Sequence, residues 1–159
     1  FTPCDLDITI PIVQKVDLLV CTEVLEHIGY NRSLKVLDYI VSCSDIILFS
    51  AAIPRQGGLG HINEQRHSFW ISEFGKRGFQ NFDLFKLELI NNPEILYWLR
   101  QNLFIFHKNQ PVDSILNTKP ILGNEFELVS SYVLNKEYGI SEILKKIPSS
   151  LYRSIKNRI

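Results

Sequence analysis

The side chains best suited to chemistry fall in two clusters. Glu23, Glu26 and His27 stand together in TEVLEH, and His61, Asn63, Glu64 and His67 follow in GHINEQRH. Carboxylates offer acceptors and negative charge to a cationic ligand. A histidine with an ordinary pKa of about 6.5 takes up and releases protons near neutrality. His61, Glu64 and His67 also spell H-x-x-E-x-x-H, with Glu23, Glu26 and His27 as candidate neighbours, and histidine with carboxylate is a donor set for zinc or iron. That spacing is not the helical H-E-x-x-H pattern, and a loop does not hold both imidazoles on one face, so no metal ligands are expected.

The elements that must position these residues are legible from apolar periodicity. Val16–Cys21 (VDLLVC) and Asp45–Ile53 (DIILFSAAI) are short, nearly continuous apolar runs, as in strands buried on both faces of a parallel sheet. Between them, Ser33–Val41 places Leu34, Leu37, Ile40 and Val41 on one helical face, with Ser33 or Asn31 as the expected cap. Strand, helix and strand make a βαβ unit. Pro54–Gln65 is a loop by its proline and glycines. Ser68–Arg77 reads as a short helix stopped by Gly78. Phe79–Ile90 and Leu99–His107 read as two further strands, joined by an irregular or helical Asn91–Tyr97 and expected to pair antiparallel at one sheet edge. After Lys108 the pattern changes, with helices expected around Glu125–Asn135 and Ser141–Lys146. The last stretch, Ser149–Ile159, combines Leu151, Ile155 and Ile159 with Arg153, Lys156 and Arg158.

The bulk numbers agree with one ordinary globular domain. The chain has 159 residues, 45% hydrophobic and 21% charged, with zero formal net charge, so no global basic character points to nucleic acid. The three cysteines, Cys4, Cys21 and Cys43, form no CxxC pair. Reduced, buried thiols at Cys21 and Cys43 and a cytoplasmic location are expected. No apolar run is long enough to span a bilayer, and no signal peptide is visible. The chain begins at Phe1 and contains no methionine, so its natural start is expected upstream.

DLLVCTEVLEHI resembles the motif that ends the fourth strand of class I S-adenosylmethionine (SAM)-dependent methyltransferases, at Asp17, Glu23, Val24, Leu25, Glu26 and His27. GGLGHINEQ, the aromatic helix with Trp70, then Arg77-Gly78-Phe79 and WLRQNLFIF resemble one bacterial branch of that family. The resemblance covers roughly residues 1–107, and residues 108–159 are expected to form a helical extension. It implies a Rossmann-like, three-layer α/β sandwich with mixed strand directions at one edge. The family's first strands and glycine-rich cofactor loop are not found here, so a partial domain is expected. Gly57, Gly58 and Gly60 follow the fifth strand and do not replace that loop.

What the resemblance implies about function is methyl transfer from SAM to a small-molecule or sugar-like acceptor. Asp5 and Leu6 look like the pair that recognises adenine, and Thr22 and Glu23 like the cofactor-pocket edge. Glu23 has a second reading as a solvated glutamate at a helix start. His61 is the expected catalytic base, or else a loop residue held with Asn63 by hydrogen bonds. His27, Asn63 and Glu64 are candidate substrate contacts, with His27 equally able to bond the neighbouring loop. Glu26 is expected in a surface or structural role. The alternative is a non-catalytic, methyltransferase-like binding module. Its exposed sheet edge would invite homo-oligomers. Membrane contact by the basic tail is not favoured.

Overall fold

The apolar runs form the strands of one mixed sheet. The computed structural model describes residues 2–82, 89 and 92–108. β1 (Leu19–Thr22) and β2 (Ile46–Ser50) pair in parallel, with Leu19 beside Ile47 and Thr22 beside Ser50. A single 3-10 turn, Leu25–His27, and helix α1 (Tyr30–Cys43) connect them. α2 (His67–Lys76) leads into β3 (Phe79–Phe82), and α3 (Tyr97–Asn102) leads into β4 (Phe104–Lys108). The sheet order is β1-β2-β4-β3, and β4 runs antiparallel to both of its neighbours. The expected βαβ unit and the antiparallel pair at one edge are therefore present. The remainder of the strand expected over Phe79–Ile90, and the extension from residue 109 onward with its expected helices, lie outside the described residues.

One face of the sheet carries the core. Leu19, Cys21, Ile47, Phe49, Phe104, Phe106 and Phe79 share it by register, and Val36, Leu37 and Ile40 of α1 and Trp70 and Phe74 of α2 pack against it. Phe74 stacks on Phe106 with ring centroids 3.8 Å apart and meets Phe49 edge-on at 5.1 Å. Large rings in contact bury much apolar area and add about 0.5–1.5 kcal/mol per pair beyond it. The opposite face carries Val20, Ile46, Leu48 and Ile105. Val20 is 58% exposed and Ile46 38%. Among the described residues α1 and α2 thus form one helical layer on one face, where three layers were expected.

Several boundaries differ from the sequence reading, each for a local reason. The first strand begins at Leu19 rather than Val16, and Val16 and Leu18 are about half exposed rather than core. α1 starts earlier, and its N-cap is Gly29, whose carbonyl accepts from the N–H groups of Arg32 and Ser33. Neither Asn31 nor Ser33 caps it; Ser33 lies inside the helix and donates from Oγ to the Tyr30 carbonyl at 2.8 Å. The buried stripe runs through Ser33, Val36, Leu37, Ile40 and Cys43, so Val36 takes the place expected of Leu34, while Val41 packs partly buried against the core. Leu99–Asn102 is helix rather than strand, because α3 turns Gln101 and Asn102 inward as buried amides. Gly78 does end α2, with φ of 81°, a conformation that costs a Cβ-bearing residue more.

Arg77 ties the helices together. Its Nε donates to Asp38 Oδ1 of α1 at 2.7 Å, and Nη1 donates to Glu73 Oε2 at 2.9 Å and to the Glu73 carbonyl at 2.8 Å. Lys76 also donates to Glu73. The Lys76 hydrogen bond holds the Glu73 carboxyl below its usual range; burial opposes this and Arg77 reinforces it. A carboxylate held low in the folded state stabilises the fold above its unfolded pKa of about 4.3, and that contribution disappears as pH falls through the lower folded value. Melting temperatures followed from neutrality into acid should therefore drop below about pH 4.3, and Glu73→Gln should lower the neutral value while flattening the acid drop. Parallel curves for the two proteins would show that Glu73 carries none of the effect.

Candidate functional site

The loop after β2 folds back over the turn after β1. Ile62 and Asn63 donate their N–H groups to the Glu26 carbonyl at 2.9 and 3.0 Å. Asn63 is buried, and its Nδ2 donates to the Leu25 carbonyl at 3.1 Å and to Ser33 Oγ at 3.0 Å. Its Oδ1 accepts from Gln65 Nε2 at 2.9 Å. One side chain thereby joins the 3-10 turn, α1 and the loop. Glu64 braces the loop from within: Oε2 accepts from the Arg55 N–H at 2.5 Å and Oε1 from the Gly57 N–H at 3.1 Å.

That bracing also orients a histidine. Glu64 Oε1 lies 3.0 Å from His61 Nδ1. A carboxylate accepts, so Nδ1 carries the proton and Nε2 keeps the lone pair. The His61 ring rests against Gly58, where an added Cβ would stand 2.3 Å from Nε2. His27 meets the same ring edge-on, with centroids 4.8 Å apart, and its Nδ1 lies 3.3 Å from the Gly60 carbonyl. His27 is exposed and His61 half-buried.

Two carboxylates lie at the carboxyl end of β1. Glu23 adopts φ of 53°, and its N–H donates to the Ser50 carbonyl at 2.9 Å and to Ser50 Oγ at 3.2 Å. Left-handed backbone costs a non-glycine residue about 1–3 kcal/mol and is often found at functional sites. Glu26 is fully buried, and neither carboxylate oxygen makes a hydrogen bond of ordinary geometry. Burial raises its carboxyl to about 7; the Glu23 charge adds to the rise, and the backbone amides of Glu26 and Ala52 oppose it. Burial also pushes the Cys21 thiol up to about 12, with the Glu26 charge contributing.

A buried amide network extends the site toward β4. Asn102 Nδ2 donates to Gln56 Oε1 at 2.8 Å and reaches Glu23 Oε1 at 3.5 Å, and Gln101 Nε2 donates to Asn102 Oδ1 at 3.1 Å. His67 Nε2 faces Asn102 Oδ1 at 3.1 Å.

The residues singled out from sequence thus separate into groups. His27, His61 and Glu64 come together, with Glu23 on the neighbouring turn. Asn63 lies beside them but engages the protein with every polar atom of its side chain. Thr22 ends β1 opposite Ser50. Asp5 Oδ1 accepts from the Asp7 N–H at 3.0 Å, and the Leu6 carbonyl accepts from Arg32 Nε at 2.7 Å, so this pair is tied to its own turn and to α1. His67 leaves the H-x-x-E-x-x-H set for the amide network. Glu26 forms a three-member cluster with His27 and His61, one donor atom from each lying within 4.8 Å of the others. Sequence reasoning gave Glu26 a surface or structural role and missed Gln56, Gln101 and Asn102 as site residues; the one available signal for the last two was a polar QN pair within an otherwise apolar, strand-like run. A separate open cleft of about 510 Å³, lined by Tyr30, Gln65, Arg66, Phe69 and Lys76 among others, does not include the histidines.

Gly58→Ala tests the packing of the site. The new methyl overlaps the His61 ring, and over-packing of this kind costs about 1–3 kcal/mol. Nitrogen-15 spectra of the imidazole should lose the protonated-Nδ1 signature that the Glu64 carboxylate enforces. An unchanged spectrum would show that the ring does not rest on Gly58.

No protein-family model matches the chain, and no curated protein and no solved structure matches it. No helix among the described residues is long and apolar enough to cross a membrane.

Proposed function

We propose that these residues form part of a SAM-dependent methyltransferase of Rossmann-like type, acting on a small hydroxyl-bearing acceptor. The observation that carries the reading is the imidazole of His61, held by Glu64 through Nδ1, at the carboxyl end of a parallel strand pair. Open α/β sheets bind ligands at that end. The mixed direction of the sheet and the sequence resemblance support the same reading.

The residues present fit the cofactor in part. Thr22 and Glu23 sit at the strand end, where a carboxylate suits a sulfonium and an ammonium. Asp5 and Leu6 would have to turn outward to meet adenine. When bound, SAM supplies an electrophilic methyl group. The chain's own task is to position the acceptor and remove its proton. His61 Nε2 has the lone pair to receive that proton, and the Glu64 carboxylate stabilises the imidazolium that results. Glu23 keeps negative charge at the pocket edge.

The test is methyl transfer and SAM calorimetry with the natural gene product that contains these residues. Removal of a general base costs about 10²–10⁴-fold, so His61→Ala should lose that much in kcat while SAM affinity is retained. Glu23→Ala should weaken SAM binding instead. A protein that binds no SAM, or a His61→Ala variant with full activity, would overturn the reading.

A second reading, a binding module that associates with itself, is favoured by one observation. Val16, Leu18 and Val20 on and before edge strand β1 are each about half exposed, and edge strands with apolar side chains invite pairing. Sedimentation should then show dimers that Val20→Lys converts to monomers. A monomeric wild-type chain would remove this reading.

A further inference from the structure

The Glu26 carboxyl is fully buried; the Glu23 carboxyl and the backbone amides of Glu26 and Ala52 lie near it, but neither oxygen makes a hydrogen bond of ordinary geometry. A buried carboxylate with only such weak contacts costs roughly several kcal/mol, so it is normally neutralised by a proton, paired with a cation or coordinated to a metal. The Glu26 backbone is fixed in the turn, its carbonyl accepting from the Ile62 and Asn63 N–H groups. Beside it stand two imidazoles, His27 from the same turn and His61 from the loop, with one donor atom from each of the three residues within 4.8 Å of the others.

Both rings are already held as metal-binding imidazoles usually are. His27 Nδ1 is bonded to the Gly60 carbonyl and His61 Nδ1 to the Glu64 carboxylate, at 3.3 and 3.0 Å. Each acceptor fixes the proton on Nδ1 of the neutral ring, the outer-shell arrangement that orients ligating histidines, and the His61 ring must turn off Gly58 for its Nε2 to meet an ion. We propose that Glu26, His27 and His61 bind a divalent transition-metal ion of the zinc class. Two imidazole nitrogens and one carboxylate oxygen select such ions over magnesium or calcium, which prefer all-oxygen shells. Donors at about 2.0–2.1 Å from zinc stand roughly 3.4 Å apart in a tetrahedron, so the three donors must draw together from the 4.8 Å within which they lie. Three protein ligands leave a fourth position open, and the exposure of His27 puts that position in reach of water.

The inference goes beyond the methyl-transfer reading and does not require it. The two are linked in one respect: an ion on His61 Nε2 removes the base, so zinc should inhibit the activity that His61 supports.

The direct test uses cobalt(II) as the probe, without SAM, on the full 159-residue chain stripped with a chelator. One equivalent should bind with visible d–d bands of four- or five-coordinate intensity, and zinc should displace it. Glu26→Gln, His27→Ala and His61→Ala should each weaken binding at least about tenfold, and Glu64→Gln by roughly 10–100-fold through the lost outer-shell bond. Glu26→Gln is nearly isosteric, and circular dichroism separates loss of metal from loss of fold. His107→Ala, at the far end of the sheet, should bind as wild type does. Absence of cobalt bands in the folded wild-type chain, or undiminished binding by folded Glu26→Gln and His27→Ala, would overturn the proposal. Neither result bears on SAM binding, which is measured separately.

Discussion

The carbonyl oxygen of Glu26 accepts two backbone hydrogen bonds, from Ile62 and Asn63, and the arrangement of the site depends on that clasp. It fastens the loop after β2 onto the turn after β1, across nearly forty residues of chain, as the separation of the Asn63–Leu25 contact shows. His61 reaches His27 only because the loop is held there. The Asn63 side chain reinforces the clasp by bonding to Leu25 and Ser33, both buried. In a buried setting each such bond matters chiefly through its absence, since an unpaired amide or carbonyl costs about 1–3 kcal/mol. The Glu26 side chain at the same turn is fully buried, and burial raises its carboxyl to about 7.

Beneath the clasp, the aromatic core keeps the strand ends in place. Phe49 on β2 lies against Trp70 and Phe74, and Phe74 stacks on Phe106 of β4. β2 is the central link of the sheet, parallel to β1 and antiparallel to β4. Its end at Ser50 fixes the strained Glu23 backbone through two acceptors. Strain at Glu23 is thus held by the most rigid part of the described fold, which is where local strain persists.

Much of this fold was legible in the sequence. The runs VDLLVC and DIILFSAAI announced the parallel pair, Gly78 announced the end of α2, and the two later aromatic runs announced an antiparallel edge. Strand boundaries were less legible, because an apolar run does not state where pairing begins. Leu99–Asn102 reads as strand by composition yet is helix, because the tertiary position of Gln56 rewards burying Gln101 and Asn102 side by side. The expectation of strands buried on both faces failed at Val16, Leu18 and Val20, which are about half exposed, whereas α1 and α2 pack against the core face. For the site, His27, His61 and Glu64 were marked by residue type, and their hydrogen bonds explain why. Asn63 was marked as well, but its side chain turned out to serve the clasp.

The sequence by itself determined the strands, the loop and the identity of the chemically able side chains, because periodicity and residue type are local properties. It left two constellations open, H-x-x-E-x-x-H and E-V-L-E-H, that could lie near one another, and did not fix which of their side chains meet. Only the tertiary structure decided that His67 joins the Asn102 network, that Glu64 serves His61 rather than standing beside it as an equal ligand, and that Glu26 completes a cluster with His27 and His61. The reason is geometric and electrostatic. Residues 26 and 61 are far apart along the chain, and whether a carboxylate is buried without a partner depends on every element packed around it.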